Sequence, residues 1–86
     1  ASFPKEAGSF ECYPNPFNTK IFIDVKGLTV PELDIAIFDV TGRKIAEVYK
    51  GVNTGNTVFI WERGNTIAGA YFCKANGMVK KVIIID

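Results

Sequence analysis

The chain has 86 residues, 48% of them hydrophobic, with ten basic and nine acidic side chains and a net charge of +1. That is one globular domain, with a stability on the order of 5 kcal/mol. It excludes a disordered tail, a basic nucleic-acid footprint and, with no apolar run near about 18 residues, a membrane span.

Ala1 to Gly8 shows no periodicity and is expected to be a linker from a preceding domain, with the folded unit at 9–86. There is no starting Met and no signal peptide, so Ala1 is expected to follow a cut inside a longer chain. From there the apolar period is two. Strands are predicted at Ser9–Tyr13, Lys20–Val25, Glu32–Phe38, Lys44–Tyr49, Thr57–Glu62, Ala70–Ala75 and Val79–Ile85. Between the first two lies Pro14-Asn15-Pro16, which cannot donate two ladder hydrogen bonds and is expected to be stiff, extended and at an edge. Phe17 should then turn in as a plug. Gly27 to Pro31 forms a longer connection. Asp39-Val40-Thr41-Gly42 has the residues of a type I turn, and the Asp39 carboxylate can accept a backbone N–H two residues on. Asn53-Thr54-Gly55-Asn56 is a second turn, Glu62 to Ala68 a polar loop, and Asn76-Gly77 a hairpin signal.

Short strands with regular turns predict an all-β fold, an immunoglobulin-like β-sandwich of about seven antiparallel strands. The expected core is Phe17, Ile21, Ile23, Leu33, Ile35, Ile37, Ile45, Val48, Val58, Ile60, Tyr71, Cys73, Val82 and Ile84. If Val58 and Ile60 point inward, Trp61 lies outside; if Phe59 and Trp61 do, the register reverses.

The chain has no histidine, no paired carboxylates, no phosphate loop and no CxxC. No catalytic constellation, cofactor site or metal site is expected, and the segment is not read as an enzyme. Cys12 and Cys73 are the only cysteines. They fit either buried thiols or, in a secreted domain, a bridge.

YPNPFN at 13–18, IAIFDVTGRKI at 35–45, a lone Trp61, AGAYFCKANG at 68–77 and KKVIIID at 80–86 occur in a fixed order. This order resembles the type A C-terminal sorting domain of the type IX (Por) secretion system of Bacteroidetes, over residues 12 to 86. The resemblance implies a domain that directs an N-terminally fused cargo through the outer-membrane translocon. It implies outer-membrane shuttle and sortase proteins as partners, cleavage before the domain by a surface sortase, and cargo anchored to lipopolysaccharide. Secretion or display at the cell surface, by way of the periplasm, follows from it. Its motif positions fall on Tyr13, Pro14, Asn15, Pro16, Asp39, Gly42, Arg43, Gly69, Tyr71 and Phe72, and on Lys80 and Lys81.

Each position has a plain structural reading beside it. Gly42 supplies turn freedom, and Arg43 can pair with Asp39. Gly69 would let a strand start near another backbone, and Tyr71 would be a core ring with its hydroxyl satisfied at the edge. Structure is favoured at the first ten of these positions. The last strand differs, because Val82, Ile83, Ile84 and Ile85 are apolar on both faces. Either Phe3, Phe10 or a loop covers the second face, or Lys80, Lys81, Val82, Ile83, Ile84 and Ile85 form a docking edge. Two departures stand out. The family often has Trp-Asp-Gly where this chain has Trp61-Glu62-Arg63-Gly64, and it usually ends in a basic residue where this chain has Asp86. The alternative role is an accessory carbohydrate-binding or spacer module of a secreted hydrolase, with Phe22, Phe38, Tyr49 and Trp61 as the sugar-facing rings.

Overall fold

The computed structural model describes residues 9–27, 30–55 and 58–86. The expected linker at 1–8, the start of the fifth strand at Thr57, the middle of the Gly27 to Pro31 connection, the last residue of the second turn and any cover from Phe3 lie outside the described residues.

Seven strands form two antiparallel sheets: β1 Ser9–Tyr13, β2 Lys20–Lys26, β3 Glu32–Phe38, β4 Lys44–Val52, β5 Val58–Glu62, β6 Gly69–Ala75 and β7 Met78–Ile84. One sheet has the order β1-β2-β5 and the other β4-β3-β6-β7. The period of two does what it must in a sandwich. Ile21, Ile23 and Val25 of β2 join Ile35 and Ile37 of β3 in one buried cluster, and Leu33 is buried as well. Phe10, Tyr71, Cys73, Ala75, Val82 and Ile84 complete the packed interior, with Phe17 as the expected plug.

The fifth strand corrects the expected core. Val58 and Ile60 are 40% and 51% exposed, while Trp61 is only 8% exposed. The cause is register. Ile21 pairs with Trp61 and Ile23 with Phe59. Paired residues of neighbouring strands share a face, so the two inward isoleucines bring Phe59 and Trp61 inward. Trp61 then meets Phe17 edge to face at 5.8 Å.

The fourth strand is a second, smaller correction. Its pairing with β3 shifts register twice, between Ile35 and Ala36 and between Ile37 and Phe38. Each shift adds a residue on β4 and breaks the alternation. Ile45, Ala46, Val48 and Tyr49 all reach the core margin and all remain half-buried. Ile45 and Val48 are therefore supporting residues and not centre-of-core ones. The expected Asn76-Gly77 hairpin joins β6 to β7, with Asn76 at φ 54°. Asn tolerates that left-handed backbone, and its side chain links the turn to β3 through Asp34 N–H and Glu32 C=O.

Candidate recognition surface

The motif positions are scattered in sequence, but the strand register brings most of them to one end of the sandwich. Phe38 pairs with Phe72 and Lys44, Gly69 with Ile84, Lys20 with Glu62, and Tyr13 with Phe22. The segments 13–19, 39–43, 63–69 and 83–86 are therefore neighbours. Lys80 and Lys81 sit further along β7.

The Pro-bearing tract is tied to the last strand, which the chain order alone does not reveal. Asn15 Nδ2 donates to Lys81 C=O at 2.9 Å, and Ile83 N–H donates to Asn15 Oδ1 at 3.0 Å. The Asn15 amide thus mimics one residue of a paired strand. Phe17 continues the pairing: its N–H donates to Ile83 C=O and its C=O accepts from Ile85 N–H. Phe17 and Ile84 form a parallel bridge, and Asn18 Nδ2 closes the row on Ile85 C=O. The tract lies at an edge, as expected, but it bends. Both Tyr13–Pro14 and Asn15–Pro16 peptide bonds are cis. Tyr13 is exposed and stacks on Phe22 with ring centroids 5.7 Å apart.

Asp39 organises the turn at this end. Its Oδ1 accepts from the Thr41 and Arg43 N–H groups and from the Thr41 hydroxyl, and its C=O accepts from Gly42 N–H at 3.0 Å. Gly42 has φ 90°, which a side chain would strain. Arg43 Nε lies 3.6 Å from the other Asp39 oxygen. The Thr41 hydroxyl first, then the backbone donors and the Arg43 charge, hold the Asp39 carboxyl below its usual value. A lowered carboxyl contributes stability above the unfolded Asp value, and loses it as pH falls through the folded value. Wild type should therefore lose more melting temperature between about pH 4 and about pH 2 than Asp39→Asn does. Equal acid slopes in thermal scans would contradict this.

Gly69 differs from its expected role. A Cβ there would meet only a Tyr71 ring carbon at 3.9 Å, so no backbone approaches closely. Its φ of 152° is the constraint. Tyr71 matches expectation: the ring is buried and the hydroxyl donates to Ile67 C=O at 2.6 Å. Asp39, Arg43, Gly69 and Tyr71 line one concavity of about 510 Å³.

Of the six last-strand residues, Val82 and Ile84 are core, at 0% and 1% exposure. Lys80, Lys81 and Ile85 are exposed, and Ile83 is half-buried. Phe10, one possible cover for the second face, is instead in the core. Lys81 and Val79 share the outer face of their sheet with Phe72 and Lys74, their partners on β6. Phe38 pairs with Phe72, and the Lys74 ammonium sits 4.9 Å from the Phe38 ring centroid. This face mixes Phe38, Phe72 and Val79 with the charges of Lys44, Glu47, Lys74 and Lys81.

Arg63, in the polar loop and in the departing stretch after Trp61, joins several chain segments at this end. Its guanidinium donates to Thr66 C=O, Asn18 C=O and Ile85 C=O, and to Asp86 Oδ1 at 2.9 Å. The two departures from the family pattern, the Trp61-Glu62-Arg63-Gly64 stretch and Asp86, are thus joined through Arg63. A charged residue in the loop beside an opposite charge at the chain's end was the available signal.

The four rings suggested for sugar stacking do not form a row. Trp61 is buried, Tyr49 packs on Phe59 at 5.0 Å, Phe38 lies under Lys74, and Phe22 lies under Tyr13 on the other sheet. Among the described residues no group of three or more His, Cys, Asp or Glu side chains could hold a metal, and no helix is long and apolar enough to cross a membrane.

Residues 11–85 match the family described as the secretion system C-terminal sorting domain. The chain belongs to the type IX secretion C-terminal sorting domain family. The sorting domain is therefore a secretion signal in the form of a folded β-sandwich. Neither the curated proteins nor the solved structures gave a match.

Proposed function

We propose that this sorting domain delivers an N-terminally fused cargo through the type IX outer-membrane translocon to the cell surface. There a sortase cuts before the sandwich and the cargo is anchored to lipopolysaccharide. The domain is a ligand of that machinery and not an enzyme. The family match over residues 11–85 is the observation that carries this reading. Shuttle and sortase proteins are its partners, and the folded unit at 9–86 is what they handle.

Within it, Lys80–Ile85 is the recognition segment, through its exposed side chains. Lys80, Lys81 and Ile85 are open to a partner, whereas Val82 and Ile84 hold the fold. Deleting residues 82–86 would therefore unfold the domain as well as remove its signal. The discriminating variant is K80E/K81E with Ile85→Ser, all at exposed positions. A reporter fused before this domain should lose export by about tenfold or more, because reversed charge at a contact weakens binding and suppresses encounter. The melting temperature should stay within a few degrees of wild type, as surface changes usually do. Normal export of a folded variant would sink the assignment of this segment. Export of the reporter without any sorting domain would sink the function.

A further inference from the structure

The two cysteines meet inside the sandwich. Cys12 pairs with Ile23 on one sheet and Cys73 with Ile37 on the other. Both isoleucines are fully buried, so both sulfurs point into the space between the sheets. β1 is the edge strand of its sheet and lies beside β7, where the two sheets close on each other. Both cysteines are free thiols; Cys73 belongs to the buried core cluster and Cys12 packs against that cluster, close enough for each thiol to bias the other's ionisation.

The pair is asymmetric in a way that suits exchange chemistry. Cys73 is fully buried, while Cys12 is half-buried at the margin, near Lys80. The neighbouring Cys73 thiol, with help from the Lys80 charge, draws the Cys12 thiol below its usual range against burial and Glu11. The neighbouring Cys12 sulfur and burial push the Cys73 thiol up. Cys12 is thus the thiol that ionises first and that a donor can reach.

We propose that Cys12 and Cys73 are a disulfide-forming site, closed across the two sheets by exchange with a donor disulfide of the glutathione or protein thiol-oxidoreductase class. The compartment that supplies the donor rests on the export reading above. The Cys12 thiolate attacks one donor sulfur, and the donor's S–S bond breaks with its other sulfur leaving as a thiolate. The Cys73 sulfur then attacks Cys12 Sγ and expels the first donor sulfur. The Cys73 proton goes to that leaving thiolate. Two cysteine thiols are oxidised, and one donor disulfide is reduced to two thiols. The new bond ties β1 to β6 and encloses most of the domain, which restricts the unfolded chain.

The test needs no secretion machinery, so its outcome is separate from that of the export assay. The reduced 86-residue chain is incubated with oxidised glutathione, and its intact mass is measured. The expected product has lost two hydrogens, carries no glutathione and, once denatured, reacts with no maleimide. Its melting temperature should exceed that of the reduced chain by about 10 °C or more. Cys73→Ala should instead hold a stable glutathione adduct on Cys12. Cys12→Ala should leave Cys73 unreactive in the folded state. A wild-type chain that ends as a Cys12 adduct, or with two reactive thiols, would overturn the proposal without reference to either variant.

Discussion

Phe17→Ala should remove most of the domain's stability at 25 °C. The ring is 1% exposed and lies against Trp61 between the two sheets. Truncating a buried phenylalanine costs about 3–5 kcal/mol, from lost burial and from the cavity left behind. A domain of this size holds on the order of 5 kcal/mol in total. The same residue carries the backbone bonds to Ile83 and Ile85, at 2.9 and 2.8 Å. A mobile position 17 would loosen that pairing as well. Tyr13→Ala, four residues earlier, is the control. Its ring is exposed and stacks on the outside of its sheet, so the loss should stay below about 1.5 kcal/mol. Urea titration followed by circular dichroism separates the two. A Phe17→Ala transition as cooperative as wild type, at the same midpoint, would show that the plug is dispensable.

What the sequence disclosed follows the range over which each interaction acts. The Asp39 turn was legible because all its bonds close within four residues. The alternation in β2 and β3 was legible because one face is apolar and the other is not. Val58-Phe59-Ile60-Trp61 is apolar at every position, so alternation fixed the period but not the face. Only pairing with β2 decides it. The β4 bulges hid for a related reason: an inserted residue cancels the period that would announce the strand. At the recognition end, the two prolines marked an edge, but the bonds from Asn15 to Lys81 and Ile83 span 66 and 68 residues. No local pattern encodes a partner that distant. The two-faced last strand was the exception. Its apolar residues do not alternate with polar ones, and Val82 and Ile84 facing inward leave Ile83 and Ile85 as the surplus.

The second large effect is expected at Arg63. Arg63→Ala should destabilise the domain by about 2 kcal/mol, since hydrogen bonds from a charged donor are worth about 1.5–3 kcal/mol each and water can replace part of them here. The guanidinium joins three chain segments through the carbonyls of Asn18, Thr66 and Ile85. Its ion pair with Asp86 is a lesser part. The Arg63 side chain is 16% exposed but that of Asp86 is 77% exposed, so solvent screens the attraction. Asp86→Asn should therefore cost less than about 1 kcal/mol, and raising the salt should remove most of that difference. Arg63→Lys should recover less than half of the loss. A lysine ammonium is a compact point charge, and it lacks the planar fork that reaches several carbonyls at once. This ordering identifies what Arg63 does in the longer loop. If Arg63 acts chiefly as a counter-charge for Asp86, the lysine variant should match wild type and Asp86→Asn should equal Arg63→Ala. If it acts as a backbone clamp, the three variants separate as stated. In that case an acidic residue is tolerated at position 86 because the clamp beneath it already holds the end of the last strand.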